Sequence, residues 1–413
     1  MMRFIGSAIL IFCGFLTVYE VADATESAVP EPFQRFDDTS KFTIKYDDLT
    51  ALLKTVVVDV GRSSREVAQP SQAKTGTRMK RKVKRLTANE GNRFYYETFK
   101  ENESGRQFLR DIQDSLQQVP AQAPLEYFSR DEQLAYWLNL YNVTVLNEII
   151  AAYPKRDLKK VFRGKNSILS KKLLTVSGVS LSLNDIQFVI LMQNYDNNPL
   201  VMYGLYQGIV GGPNIRRSAY RGATVYRALE DNAREFVNSN RGTFSRDERT
   251  FRVSSLYDRN RAYFRDFSSD LTKHLLKYLE GYERRELQAA TTLKPDINDW
   301  TVTDLGGTYQ QIGGSFADNS AALLDSVKST VQSTNAGAGA STLGTSVGYG
   351  SSSMASKGKP LSRFEPEFLE KMHEINAKRI IESQRNATVT IEDIGESPVE
   401  PAPDAAPDKD GSK

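Results

Sequence analysis

The stretch Tyr136–Ile150, YWLNLYNVTVLNEII, constrains this chain more than any other. Wound as a helix it carries apolar side chains on every face, so it has to be surrounded by protein on all sides. Its polar exceptions are therefore informative. Asn139 and Asn142 stand three apart and share a face. A buried carboxamide left without partners costs about 1–3 kcal/mol, so both must be hydrogen-bonded, either to a neighbouring backbone or to the contents of a polar pocket.

The flanking sequence supplies elements able to wrap such a helix. Phe42 to Val60 has helical apolar spacing through Leu49, Leu52, Leu53 and Val56, and Phe108, Ile112 and Leu116 repeat it. Lys172 to Leu183 alternates around Ser177-Gly178, which predicts a hairpin. Ser182 followed by Asp185 reads as a capping box that opens a helix through Ile186, Val189 and Ile190. Ala223 to Val237 predicts an amphipathic helix, and Val253–Phe267 and Leu271–Leu279 also read as helical. The expected fold class is α+β: a helix-rich single globular domain with a small antiparallel sheet and a disordered C-terminal tail.

Composition divides the rest of the chain. Met1–Arg3 and the apolar Phe4–Val18 have the form of a secretory signal, with Ala22-Asp23-Ala24 as the cleavage pattern, which predicts an exported protein. Residues 1–24 are thus assigned as signal, 25–40 as linker and 41–304 as the globular domain. Residues 305–362 are assigned as a Gly/Ser/Ala-rich linker with a short helix near 321–331. An amphipathic helix at 363–385, floating on that linker, and an acidic, Pro-rich tail at 386–413 follow.

The single cysteine, Cys13, lies in the signal, and the two histidines, His274 and His373, are far apart. A thiolate nucleophile and a multi-His metal centre are therefore not expected, and no cofactor is implied. The net charge of +3 does not call for a nucleic-acid partner. The basic run Lys74, Arg78, Lys80, Arg81, Lys82, Lys84 and Arg85 is read first as a solvated loop and second as a surface that meets an envelope protein or an anionic surface.

The run Glu132–Asn142 (EQLAYWLNLYN) followed by Ser180–Leu191 (SLSLNDIQFVIL) resembles the family catalogued as domain of unknown function 547, and the resemblance extends from Tyr46 to about Thr303. Members of that family typically carry Glu-His in the helix after the Ser-Leu motif, where this chain has Gln187-Phe188. They also carry Pro-Arg-Ile-His followed by two cysteines and a proline. The matching stretch here is Pro199-Leu200-Val201-Met202, with Gln207 and Gly212 at the cysteine positions and Pro213 after them. The resemblance implies a retained fold from which thiol, imidazole and carboxylate have gone, and a thiol is activated only by a base and its orienter.

These readings lead to a non-catalytic binding or scaffolding protein of the cell envelope, with Asn139, Asn142, Gln187, Met202 and Gln207 as pocket-lining candidates and no catalytic or metal residue assigned. The alternative is a hydrolase-like enzyme working through carboxylates and hydroxyls such as Glu148, Asp185, Tyr203 and Asp258. That alternative requires at least two of these carboxylates to share one concave pocket within about 10 Å, the upper end of spacings for such pairs.

Overall fold

A computed structural model of the 413-residue chain describes residues 28–68 and 84–305, apart from 101 and 165, together with 363–364, 368–372, 374–375, 377–378 and 381. The expected signal, most of the basic run, the 321–331 helix and the terminal tail lie outside the described residues.

The central helix, Arg130–Ala152, sits in the middle of one continuous core, with Tyr136, Trp137, Leu138, Leu140 and Tyr141 all fully buried. It starts where Ser129 Oγ accepts the Glu132 N–H at 3.3 Å and stops just before Pro154, which could not continue it. The helices Glu103–Gln117 and Val225–Val237 pack on it through their Leu109/Ile112/Leu116 and Leu229/Ala233/Phe236 faces. Asn102 caps the first of these through Gly105 N–H at 2.9 Å.

The α+β reading holds, with helices dominant and the strands gathered into small sheets. The hairpin Lys172–Val176/Val179–Ser182 pairs Leu174 with Leu181 and Val176 with Val179. Ser177 at φ +50° and Gly178 at φ +76° form its turn, the left-handed pair that a two-residue hairpin needs. The capping box is present as well: Asp185 N–H donates to Ser182 Oγ at 3.2 Å and Ser182 N–H to Asp185 Oδ2 at 2.6 Å. The helix it opens, Asp185–Leu191, is wound as a π-helix.

The structure changes three readings. Val253–Phe267 is not continuous helix: Thr250–Ser254 is a strand, antiparallel to Thr243–Ser245 and parallel to Thr292–Ile297, and Ser254 then caps the short helix Ser255–Arg259. Alternating burial of Phe251 and Val253 is what a half-buried strand requires. Packing begins upstream of residue 41, where Phe33 is fully buried and meets Trp137 edge-on at 5.0 Å. The C-terminal helical residues do not float, since Phe364 and Met372 are each 1% exposed and belong to the core.

Candidate functional site

Three polar side chains on one face of the central helix fasten the segment 199–222 to it. Asn142 donates from Nδ2 to Gly204 O and accepts the Tyr206 N–H, both at 2.9 Å. Asn139 grips Tyr220 the same way, donating to its carbonyl at 2.8 Å and accepting its N–H at 2.9 Å. One further turn pair back, Glu132 accepts the N–H groups of Gly222 and Ile44, each at 3.0 Å. Burial raises the Glu132 carboxyl above its ordinary range, while those two N–H groups oppose the shift. Glu132 went unnoticed in the sequence, although its position seven residues before Asn139 puts it on the same face.

The strapped segment carries Met202, 1% exposed, and Gln207. It must lie close to the helix, because a Cβ on Gly204 would stand 2.6 Å from Leu229 and 2.8 Å from Leu138. Gln207 Oε1 accepts from Arg259 Nη2 at 2.8 Å, and Gln187 Nε2 donates to the side-chain oxygen of Asn260. Gln187 and Gln207, from different elements, are therefore brought together on two consecutive residues at the end of one short helix. The Gln187 carbonyl also accepts from Tyr263 OH at 3.2 Å.

Arg259 closes this centre. Its guanidinium lies 4.9 Å from the Trp300 ring, which Arg163 approaches at 5.5 Å. Burial first, and Arg163 second, hold Arg259 down to about 10, so it remains a cation at neutral pH. Gln187, Gln207 and Asn260 can donate and accept hydrogen bonds, but they cannot attack a carbon or move a proton near neutrality.

The hydroxyl-and-carboxylate set is dispersed among separate partners. Asp185 is held by Ser182 and by Lys172 at 2.6 Å, and Asp258 by Arg261 at 2.8 Å. Tyr203 OH lies 2.9 Å from His274 Nε2 and 3.2 Å from Tyr257 OH, in a buried aromatic knot. His274 is 5% exposed, and burial lowers it to about 3, so the ring stays neutral.

A different set of carboxylates does share a concave space. A cleft of about 520 Å³ opens between the 59–63 loop, the 214–218 segment and the exposed side of the Val225–Val237 helix. Asp59, Asp231, Glu235 and Glu280 face it together with Arg62, Arg216, Arg217 and Arg234, and every other lining residue is Asn, Ser or Gly. The asparagines are structural. Asn92 accepts Val60 N–H at 3.1 Å and donates to Ile215 O at 2.9 Å, and Asn232 donates to Tyr203 O at 3.0 Å. At the floor, Glu235 is ion-paired with the fully buried Arg241, and burial raises its carboxyl to about 7, with Glu90 and Asp59 adding to the rise and Arg241 opposing it.

None of Asn139, Asn142, Gln187, Met202 and Gln207 lines this cleft. The sequence offered one faint signal for it: Asp231 and Glu235 stand four apart on the polar face of a helix already recognised as amphipathic. Among the described residues no group of three or more His, Cys, Asp or Glu could hold a metal ion, and no helix is long and apolar enough to cross a membrane.

The family model described as "Protein of unknown function, DUF547" matches residues 125–237, which run from the entrance of the central helix through the π-helix and strap to the end of the helix facing the cleft. No curated protein and no solved structure matches the chain.

Proposed function

By residues 125–237 the chain belongs to the DUF547 family, and from that premise we propose that it is an exported, non-catalytic binding protein of the cell envelope. The observation that carries this reading is the state of the family's polar centre, where Gln187 and Gln207 are engaged by Asn260 and Arg259. Side chains so occupied hold the fold together and have no free nucleophile or base to offer.

The cleft is the ligand site in this reading. Its walls carry both charge signs and neither aromatic nor aliphatic side chains. There is no ring to stack on, and a small ligand with both an anionic and a cationic group fits the charges of the walls. The apolar Phe4–Val18 stretch with Ala22-Asp23-Ala24 supports export.

Isothermal titration of the purified chain with a panel of amino acids and short zwitterionic peptides tests the site. Binding that weakens about tenfold or more in both Arg217→Ala and Asp231→Asn is expected, a loss of about 1.4 kcal/mol for each. Turnover of a peptide, ester or glycan substrate that disappears in Gln207→Ala would overturn the non-catalytic reading. Protein recovered outside the cytoplasm with Thr25 at its N-terminus is the expected result for export, and protein retained inside with Met1 intact refutes it.

One observation favours the second reading, an enzyme built on carboxylates. Glu235 is raised to about 7 and shares the cleft with Asp59 and Asp231, a setting suited to general acid/base work. A hydrolytic activity abolished by Glu235→Gln but untouched by Gln207→Ala would select this reading over the first.

A further inference from the structure

Two arginines meet over one tryptophan at the edge of the glutamine centre, and neither is ion-paired with a carboxylate among the described residues. Arg259 donates from Nη2 to Gln207 Oε1 and from Nη1 to Ser255 Oγ, both at 2.8 Å. These neutral acceptors fix the plane of the guanidinium and leave its charge uncompensated. Arg163 is exposed and makes no hydrogen bond or ion pair among the described residues. Its guanidinium lies over the Trp300 ring at 5.5 Å, and that of Arg259 at 4.9 Å. Contact with a ring occupies the flat face of a guanidinium and leaves the N–H groups along its edge able to donate. Asp258, beside Arg259 in the chain, is paired instead with Arg261 at 2.8 Å.

The backbone brings further positive charge to the same place. Leu158 N–H donates to Trp300 O at 2.9 Å and Val302 N–H to Arg156 O at 2.8 Å, so residues 156–158 run beside 300–302. Lys155, Arg156, Lys159 and Lys160 belong to this stretch, and all four are exposed with no ion pair among the described residues. Asp157 is the only acidic residue between Lys155 and Arg163, and its Oδ1 accepts the Lys159 N–H at 2.8 Å. Two neighbouring cations without a counter-ion repel each other, and after burial it is Arg163 that most lowers Arg259. A ligand carrying two negative charges relieves that repulsion fully, whereas a carboxylate brings only one.

We propose that the Arg163 and Arg259 guanidiniums, framed by Trp300, form a binding site for a phosphate group, either as the free ion or as a monoester. The paired oxygens of a phosphoryl group match the fork of a guanidinium, and a monoester is close to dianionic at neutral pH. Gln207 and Ser255 act as positioning residues, since they set the direction in which Arg259 presents its remaining donors. The exposed cations of 155–160 supply a field that draws an anion toward the pair. The site is separate from the cleft, because Arg163, Arg259 and Trp300 are all absent from its walls.

Isothermal titration of the full chain with inorganic phosphate and with glycerol phosphate, at constant ionic strength in chloride, tests the site. Binding of at least one is expected, weakened about tenfold or more in Arg163→Ala. That position is exposed and its truncation leaves no hydrogen bond unmade among the described residues, so the variant keeps the fold. Arg259→Lys, which retains the charge and loses the fork, should weaken binding by a similar factor; if it fails to fold, Arg163→Ala decides alone. Arg217→Ala, in the cleft, should leave phosphate binding unchanged. Glycerol phosphate binding as tightly as the inorganic ion assigns the site to monoesters, and binding of the inorganic ion alone assigns it to free phosphate. No binding of either, binding that survives Arg163→Ala, binding lost in Arg217→Ala, or acetate binding as tightly as phosphate overturns the proposal.

Discussion

Gln207 Oε1 accepts a hydrogen bond from Arg259 Nη2 at 2.8 Å, while the next residue, Asn260, accepts one from Gln187. Two amide side chains from different elements thus end on neighbouring residues of one short helix. The arrangement links the π-helix 185–191 to the strap 199–222 and gives both glutamines a structural task.

Gln207→Ala removes the acceptor from a largely buried cation. A hydrogen bond to a charged group is worth about 1.5–3 kcal/mol, and a loss of that size in urea denaturation is expected. A change under about 0.5 kcal/mol, as for a surface position, would place Gln207 outside the load on Arg259.

Asn139→Ala leaves both the N–H and the carbonyl of Tyr220 without their buried partner. At about 1–3 kcal/mol for each group, the combined loss is about 3 kcal/mol. Asn139→Asp should also destabilise, since a carboxylate accepts from Tyr220 N–H but cannot donate to its carbonyl. Equilibrium unfolding with an unchanged denaturant slope checks both.

Glu235 makes stability depend on pH. Its folded value, about 7, lies above the ordinary 4.5 of a free glutamate, so the native state holds this proton more tightly than the unfolded chain does. Its contribution is fully present below about pH 4.5 and is lost as pH rises through about 7. Glu235→Gln should flatten that part of the pH profile of thermal unfolding, and a profile that keeps its slope would show that the group titrates normally.

His274 acts in the opposite sense. Burial lowers it to about 3 from 6.5, so the unfolded chain takes up a proton that the native state refuses. Its contribution is present above about pH 6.5 and is lost as pH falls toward about 3. His274→Phe should shallow the acid side of the same profile even though it gives up the 2.9 Å contact with Tyr203 OH. Proton resonances of the ring that move through a midpoint near 6.5 would contradict this assignment.

Much of the framework was legible because local rules and tertiary needs agree in it. The central helix announced itself by apolar residues on all faces, the hairpin by alternation around Ser177-Gly178, and the helix after it by Ser182 and Asp185, though no local pattern marked its π winding. Val253–Ser254, the end of the strand Thr250–Ser254, was read as helix because Val253 and Leu256 satisfy helical spacing, while strand partners at 243–245 and 292–297 lie where no local pattern points to them. Arg363 gave no sign of its burial, since a charged side chain goes inside only when a remote carboxylate awaits it. The cleft was unread for a similar reason: its residues come from stretches around 59, 92, 214, 235 and 280.

The sequence by itself determined that one helix must be enclosed, that Asn139 and Asn142 must find hydrogen bonds, and that cysteine is confined to position 13. These follow from periodicity, burial and composition, which are properties of short windows. Only the tertiary structure decided that the asparagines grip Tyr220, Gly204 and Tyr206, that Gln187 and Gln207 share the end of one helix, and that Asp48 receives Arg363. Those partners are tens to hundreds of residues apart, and a hydrogen bond of about 3 Å is specified by the packing of whole elements rather than by any neighbouring residue.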